Sequence, residues 1–301
     1  MYVAAIRSDH SQVPFVKSLV LNNDVIELLA ARGTNAWERP PWAADRFFER
    51  NEIAIVQQSS APDGVVCVFA DLAYLRAFGA DLLRSFGEAH RRSQIGLHVH
   101  VYRTTVDDLA RFIEDSRMPP GPWLERSIDS ASAPIYRHRR NLPSFFITAR
   151  FIIVDRLLQL YRPPLTMIDA DVEVRRDLAG FFDSMRSYDV GLIIRGDVKQ
   201  AWRCLLAAAV FANNTAGARQ FVHCLADCIA GDIWGDVPFS LDALYLHFCH
   251  RAALAHGEIR FGRIPMSMSD HSFAANSWIW HREGERKRVG ASAPPIESGK
   301  A

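Results

Sequence analysis

The run Met167-Ile168-Asp169-Ala170-Asp171-Val172-Glu173-Val174 ends an apolar stretch in two carboxylates spaced i, i+2. In extended backbone alternate side chains share a face, so Asp169 and Asp171 can both point from the end of one strand. Two hard oxygen ligands there suit Mg²⁺ or Mn²⁺ with positions left for phosphate oxygens. Ligands of open α/β sheets bind at such strand ends. On the triplet alone, a solvated strand exit or turn is the commoner reading. A second set lies near the C-terminus, where His281, Gly284 and Lys287 form an H-x-x-G-x-x-K spacing after the aromatic stretch Ser277-Trp278-Ile279-Trp280. A neutral imidazole can complete a divalent site and suits Mn²⁺ better than Mg²⁺. Glycine lets backbone approach a ligand closely, and lysine brings a point charge to a diphosphate. Taken alone, this segment also reads as a charged, exposed terminus.

These residues need a sheet to position them. From Gly64 the chain alternates strand, helix, strand, helix: strands at 65–70 and 97–102, helices through about Glu88 and over 105–115. That order is the signature of a parallel α/β layer. Residues 144–158 read as a buried helix, and 165–168, 189–194 and 205–212 as strands. Residues 215–229 and 240–250 read as helices. Before Gly64 the apolar spacing of Val13 to Arg32 predicts a helix, Pro40 and Pro41 break it, and Trp42 to Gln58 reads as another helix. Residues 1–63 are therefore expected to form a helical N-terminal extension, 64–288 an α/β domain, and 289–301 a disordered tail. Residues 116–143, rich in Pro and Arg, read as a long irregular connection. Arg137, Arg139 and Arg140 there could contact an anionic glycan or polymer, although a solvated basic loop is commoner.

Composition removes several classes. The 301 residues are 49% hydrophobic and 23% charged, which are globular proportions. The formal net charge of +1 gives no reason to expect a nucleic-acid partner. No apolar run approaches the roughly 18 to 20 residues of a membrane span. Arg7 and Asp9 interrupt the N-terminus before a signal-peptide core, so a cytoplasmic protein is expected. The five Cys are an odd number in mostly apolar sequence. Cys224 and Cys228, four apart on a helix, could offer two zinc ligands. No second pair follows, so buried free thiols in a reducing compartment are expected.

In their order along the chain, these motifs and the Arg-bearing run Ala149-Arg150-Phe151-Ile152-Ile153 resemble the GT-A nucleotide-diphospho-sugar glycosyltransferases. The strand-helix Phe69 to Leu75 adds to the likeness. The chain is most similar to the retaining glycosyltransferase family 8, over about residues 64–288. The resemblance implies a Rossmann-like mixed sheet flanked by helices and transfer of a hexose from a UDP-sugar to an acceptor hydroxyl of a glycan, lipid-linked or protein acceptor. It implies Mn²⁺ or Mg²⁺ on Asp169, Asp171 and His281, with Asp169 also near the donor. Lys287 and the Gly284 backbone would hold the diphosphate, Asp71 and Tyr74 would meet the base, and Arg150 would bond the donor sugar. Arg150 could instead form a salt bridge tying its helix to a neighbour, and Asp71 could simply cap the following helix. The segment 238–246 departs from the family: Ser240 and Leu241 fall where many relatives have a polar pair, and Asp242 follows, the one candidate catalytic carboxylate there. Asn213-Asn214 resembles the strand end that lines the donor site, and equally a turn. Two other classes use the same residues. A sugar-nucleotide-binding protein with impaired catalysis is consistent with the departure at Ser240. A sugar-phosphate nucleotidylyltransferase would want a Gly-rich loop after the first strand, and 69–76 has no glycine.

Overall fold

Strand β2 (Gly64–Asp71) and strand β3 (Ile95–Tyr102) are buried along almost their whole length. Near-continuous burial is what a parallel strand covered on both faces requires. They pair in parallel, and β3 pairs in parallel with β4 (Leu124–Asp129). The chain then returns to the other side of β2, where β5 (Leu165–Ile168) pairs in parallel with Val68 opposite Ile168. Strands β8 (Leu205–Ala212), β7 (Val190–Ile194) and β9 (Phe261–Arg263) extend that side, and β1 (Ile53–Gln57) closes the far edge. The order is β1-β4-β3-β2-β5-β8-β7-β9. Pairs β1·β4, β5·β8 and β7·β8 are antiparallel, so the sheet is mixed. A separate two-stranded sheet joins β6 (Val172–Val174) to β10 (Ile279–His281). This computed structural model describes residues 43–50, 53–57, 63–117, 124–129, 136, 142–196, 198, 204–234 and 241–282.

Alternate residues of β2 enter two apolar layers, Val65 and Cys67 one, Val66 and Val68 the other. Helices α4 (Leu142–Leu160), α6 (Ala216–Asp232) and α7 (Leu241–His256) fill the first layer. Helices α2 (Ala80–Ala89), α3 (Val106–Asp115) and α5 (Ala179–Met185) cover the second. This is the α/β architecture expected, a mixed sheet flanked by helices. The turn order also creates a switch point. The chain runs outward from β2 to β3 and β4, then returns to β5, so the C-terminal ends of β2 and β5 adjoin with their onward connections diverging. Open α/β sheets bind ligands outside such a point.

Two expectations need correction. The helix expected over 42–58 stops early: α1 is Ala43–Arg50, and Ile53–Gln57 is strand β1, with Ile53 opposite Asp129. Residues 53–57 therefore belong to the sheet. The irregular connection 116–143 contains β4, whose polar Glu125, Ser127 and Asp129 are nonetheless buried. Ser127 bridges His98 Nε2 at 2.7 Å and His100 Nδ1 at 2.8 Å, partners that only the neighbouring strand supplies. The helix expected over 13–32, Arg137, Arg139, Arg140 and the tail 289–301 lie outside the described residues. All five cysteines are free thiols, and no described helix is long and apolar enough to cross a membrane.

Gly191 sits in β7 between β8 and β9. A Cβ there would stand 3.0 Å from Phe211 Cβ and 3.1 Å from Ile264 Cγ1, besides meeting Met185 Cε. Gly191→Ala is expected to cost about 1–3 kcal/mol through overpacking. Urea unfolding should show a lowered midpoint at unchanged slope; an unchanged midpoint would mean that the layer yields.

Candidate functional site

Asp169 and Asp171 follow β5 directly, at the C-terminal edge where the switch point lies. They do not continue a straight strand. The chain bends at Ala170 and Asp171, leaving the main sheet for β6. Asp171 is only 3% exposed, which is too enclosed for a solvated strand exit. His281 ends β10 and pairs with Val172 of β6, so the small sheet sets it one residue along from Asp171. Its Nε2 lies 3.2 Å from Asp171 Oδ1 and 3.4 Å from Asp169 Oδ2. One ligand atom from each of the three residues falls within 4.8 Å of the others. Lone pairs gathered this closely repel unless a proton or a metal ion lies among them. Carboxylate oxygens with an imidazole are a donor set that fits Mn²⁺.

The imidazole is held from behind. Ser269 Oγ, 1% exposed as a residue, stands 3.0 Å from His281 Nδ1. A proton on Nδ1 shared with Ser269 leaves the Nε2 lone pair facing the carboxylates, the tautomer that a metal ligand requires. The ring also stacks on His271 at 4.7 Å.

Arg150 enters from α4. This helix is apolar on nearly every face and buried, and Arg150 is itself only 6% exposed. Its Nη1 donates to Asp169 Oδ1 at 2.5 Å. Its Nη2 donates to the Ala207 carbonyl at 2.8 Å and to Asp242 Oδ2 at 3.3 Å. Burial alone would weaken the charged guanidinium, but Asp169 and Asp242 outweigh it and raise its pKa. Burial also raises the Asp242 carboxyl, against the opposing pull of Arg150. Asp242, in the first turn of α7, is thus brought beside the aspartates, and Arg150 forms the ion pair that the sequence offers as the alternative to a donor contact.

Asp71 caps the turn after β2, accepting from the Tyr74 backbone N–H at 2.7 Å. Parallel pairing of Val68 with Ile168 puts Asp71 at the same edge as Asp169. Gly284, Lys287 and Ser240 lie outside the described residues. The Asn213-Asn214 expectation is corrected. Strand β8 runs antiparallel to β5 with Ala212 opposite Leu165, so the pair sits at the opposite edge of the sheet. Asn213 Nδ2 donates to the Arg186 and Tyr188 carbonyls, and Asn214 Nδ2 to those of Tyr161 and Arg162, as turn residues do.

Sequence reasoning missed Ser269, Asp270 and Arg282. Arg282 N–H donates to the Asp171 carbonyl at 3.1 Å, and its guanidinium meets Asp81 at 2.7 Å. Asp270 accepts from the backbone of Ser272 and Ala274 and from the hydroxyls of Ser272 and Ser277. The signal for it is the short spacing of Asp270, Ser272 and Ser277, typical of side-chain-organised turns.

No family model matches the chain, and no curated protein matches it by sequence. Among solved structures it is similar to mouse xyloside xylosyltransferase 1, at 9% identity and a TM-score of 0.45, over 72% of this chain and 96% of that one. It is similar to the glycosyltransferase GlyE of Streptococcus pneumoniae TIGR4, at 12% identity and 0.47, over 80% of this chain and 58% of GlyE. It is also similar to the galactosyltransferase LgtC, solved with donor and acceptor sugar analogues, at 13% identity and 0.43, over 72% of this chain and 86% of LgtC.

The Asp270 carboxyl sets a pH dependence. Burial opposes its charge, but the hydrogen bonds outweigh burial and hold its pKa at about 2. A depressed folded pKa gives stability that is present above the unfolded value, near 3.9, and lost as pH falls through the folded one. Wild type is therefore expected to lose more melting temperature than Asp270→Asn between about pH 4 and pH 2. Parallel melting curves for the two proteins across that window would contradict this role.

Proposed function

We propose that the chain is a metal-dependent glycosyltransferase of the GT-A type. It would move a hexose from a UDP-sugar to an acceptor hydroxyl, with retention at the anomeric carbon. The observation that carries this reading is the meeting of Asp169, Asp171 and His281 at the switch point of the sheet, with Arg150 and Asp242 against them. Asp169, Asp171 and His281 would hold Mn²⁺ or Mg²⁺. Such an ion, when bound, supplies positive charge to the donor diphosphate as the leaving group departs.

The chain's own residues do the rest of the positioning. Gly284 and Lys287, three and six residues beyond His281, would reach the same diphosphate. Asp71 and Tyr74 would flank the uridine from the end of β2. Arg150 fixes Asp169 and Asp242 at a set separation, so that one faces the metal and the other faces the sugar. Asp242 would be the carboxylate that faces the anomeric carbon, and Arg150 favours its ionised form against burial. The acceptor would be a glycan, a lipid-linked sugar or a protein. The catalytic unit would span 64–288, with α1 and β1 of the preceding 1–63 extension packed onto it. A second reading is a sugar-nucleotide-binding protein with impaired catalysis. The engagement of Asp242 with Arg150 favours it, since an ion-paired carboxylate is a weaker nucleophile.

Incubation of the full chain with UDP-sugars and Mn²⁺, without acceptor, should release UDP slowly through transfer to water. Asp171→Asn should abolish that release and metal-dependent donor binding while circular dichroism stays native. Donor binding with no release would select the binding-protein reading. Full turnover by Asp171→Asn would remove the metal assignment.

A further inference from the structure

Away from this site, a second group of potential ligands lies between α6 and α7. Cys224 and Cys228 are one helical turn apart on α6, and the fold brings Cys249 of α7 against them. One sulfur from each lies within 4.8 Å of the other two. Cys224 is 5% exposed and Cys249 0%, while Cys228 is partly exposed and opens the group to solvent. The sequence shows only the α6 pair; the third sulfur arrives through helix packing.

We propose that Cys224, Cys228 and Cys249 form a three-sulfur site for a soft d10 cation, Cu(I). Soft thiolates select such ions over Mg²⁺ or Mn²⁺, which take oxygen. Three sulfurs about 2.3 Å from a central ion would lie roughly 4 Å apart, inside the 4.8 Å that bounds their separations here. Zn²⁺ prefers four ligands, and the three sulfurs are the whole of this group among the described residues. Cu(I) accepts trigonal coordination, which suits three sulfurs. Each sulfur that coordinates gives up its thiol proton to solvent, and no electron is transferred. The ion would clip α6 to α7. Cys249 lies seven residues after Asp242, two turns on and along the same face, so the clip would steady the helix that carries Asp242.

The test uses the full chain, reduced and anaerobic, titrated with Cu(I) and separately with Zn²⁺. Uptake is read by ultraviolet thiolate-to-metal charge transfer and by alkylation of the two partly exposed cysteines, Cys228 and Cys204. The expected result is one Cu(I) per chain, tighter than Zn²⁺, with Cys228 protected and Cys204 still alkylated. Cys228→Ala, at a partly exposed position, should fold and lose the band; Cys204→Ala should keep it. Absence of Cu(I) uptake, tighter binding of Zn²⁺, an unchanged band in folded Cys228→Ala, or its loss in Cys204→Ala would each overturn the proposal.

Discussion

One buried guanidinium holds the candidate site together. Taking a charge out of water costs several kcal/mol, which opposite charges and hydrogen bonds must offset. Arg150 meets two carboxylates and a main-chain carbonyl. Those acceptors belong to the bend after β5, to β8 and to the first turn of α7. The ion pairs and the hydrogen bond to Ala207 therefore join four elements that are distant in sequence. They also keep Asp169 and Asp242 close without leaving either carboxylate to face the other alone. Apolar packing of α4 brings the charge there, since most of that helix is core.

The aspartates gain their third partner through a different device. The two-stranded sheet β6·β10 stands outside the main sheet, and antiparallel register carries His281 to Asp171. The turn leading into β10 is organised by Asp270, and Ser269 fixes the imidazole from the far side. A bend that would otherwise be an exposed strand exit is thereby enclosed. Arg150 and His281 approach the aspartates from different elements, and one ligand atom from each of Asp169, Asp171 and His281 lies within 4.8 Å of the others.

Much of this was legible in the sequence where local pattern and tertiary role agree. Apolar runs at 65–70, 97–102 and 165–168 are strands because burial on both faces demands such runs. The Asp-Ala-Asp and H-x-x-G-x-x-K spacings named the three residues that converge. Strand β4 was hidden because its buried residues are largely polar, and the partners of Ser127, His98 and His100, lie on another strand. Strand β1 was hidden because Ile53 to Gln57 continues a helix-like pattern, and only pairing with β4 decides its conformation. The support Ser269 lacks any motif, and Asp270 is marked only by its short spacing to Ser272 and Ser277. The ion pair of Arg150 with Asp242 spans 92 residues, beyond the reach of periodicity. Likewise, Cys249 joins Cys224 and Cys228 only through the packing of two helices.

The central claim is that Asp171 and His281 serve one metal ion. Calorimetric titration of Mn²⁺ into wild type, Asp171→Ala, His281→Ala and the double variant tests it most directly. Two ligands of one ion act as a unit, so their losses should not add, and the double variant should match the worse single one. Strictly additive losses, with His281→Ala leaving Mn²⁺ affinity untouched, would contradict the account and leave His281 a structural neighbour of the aspartates.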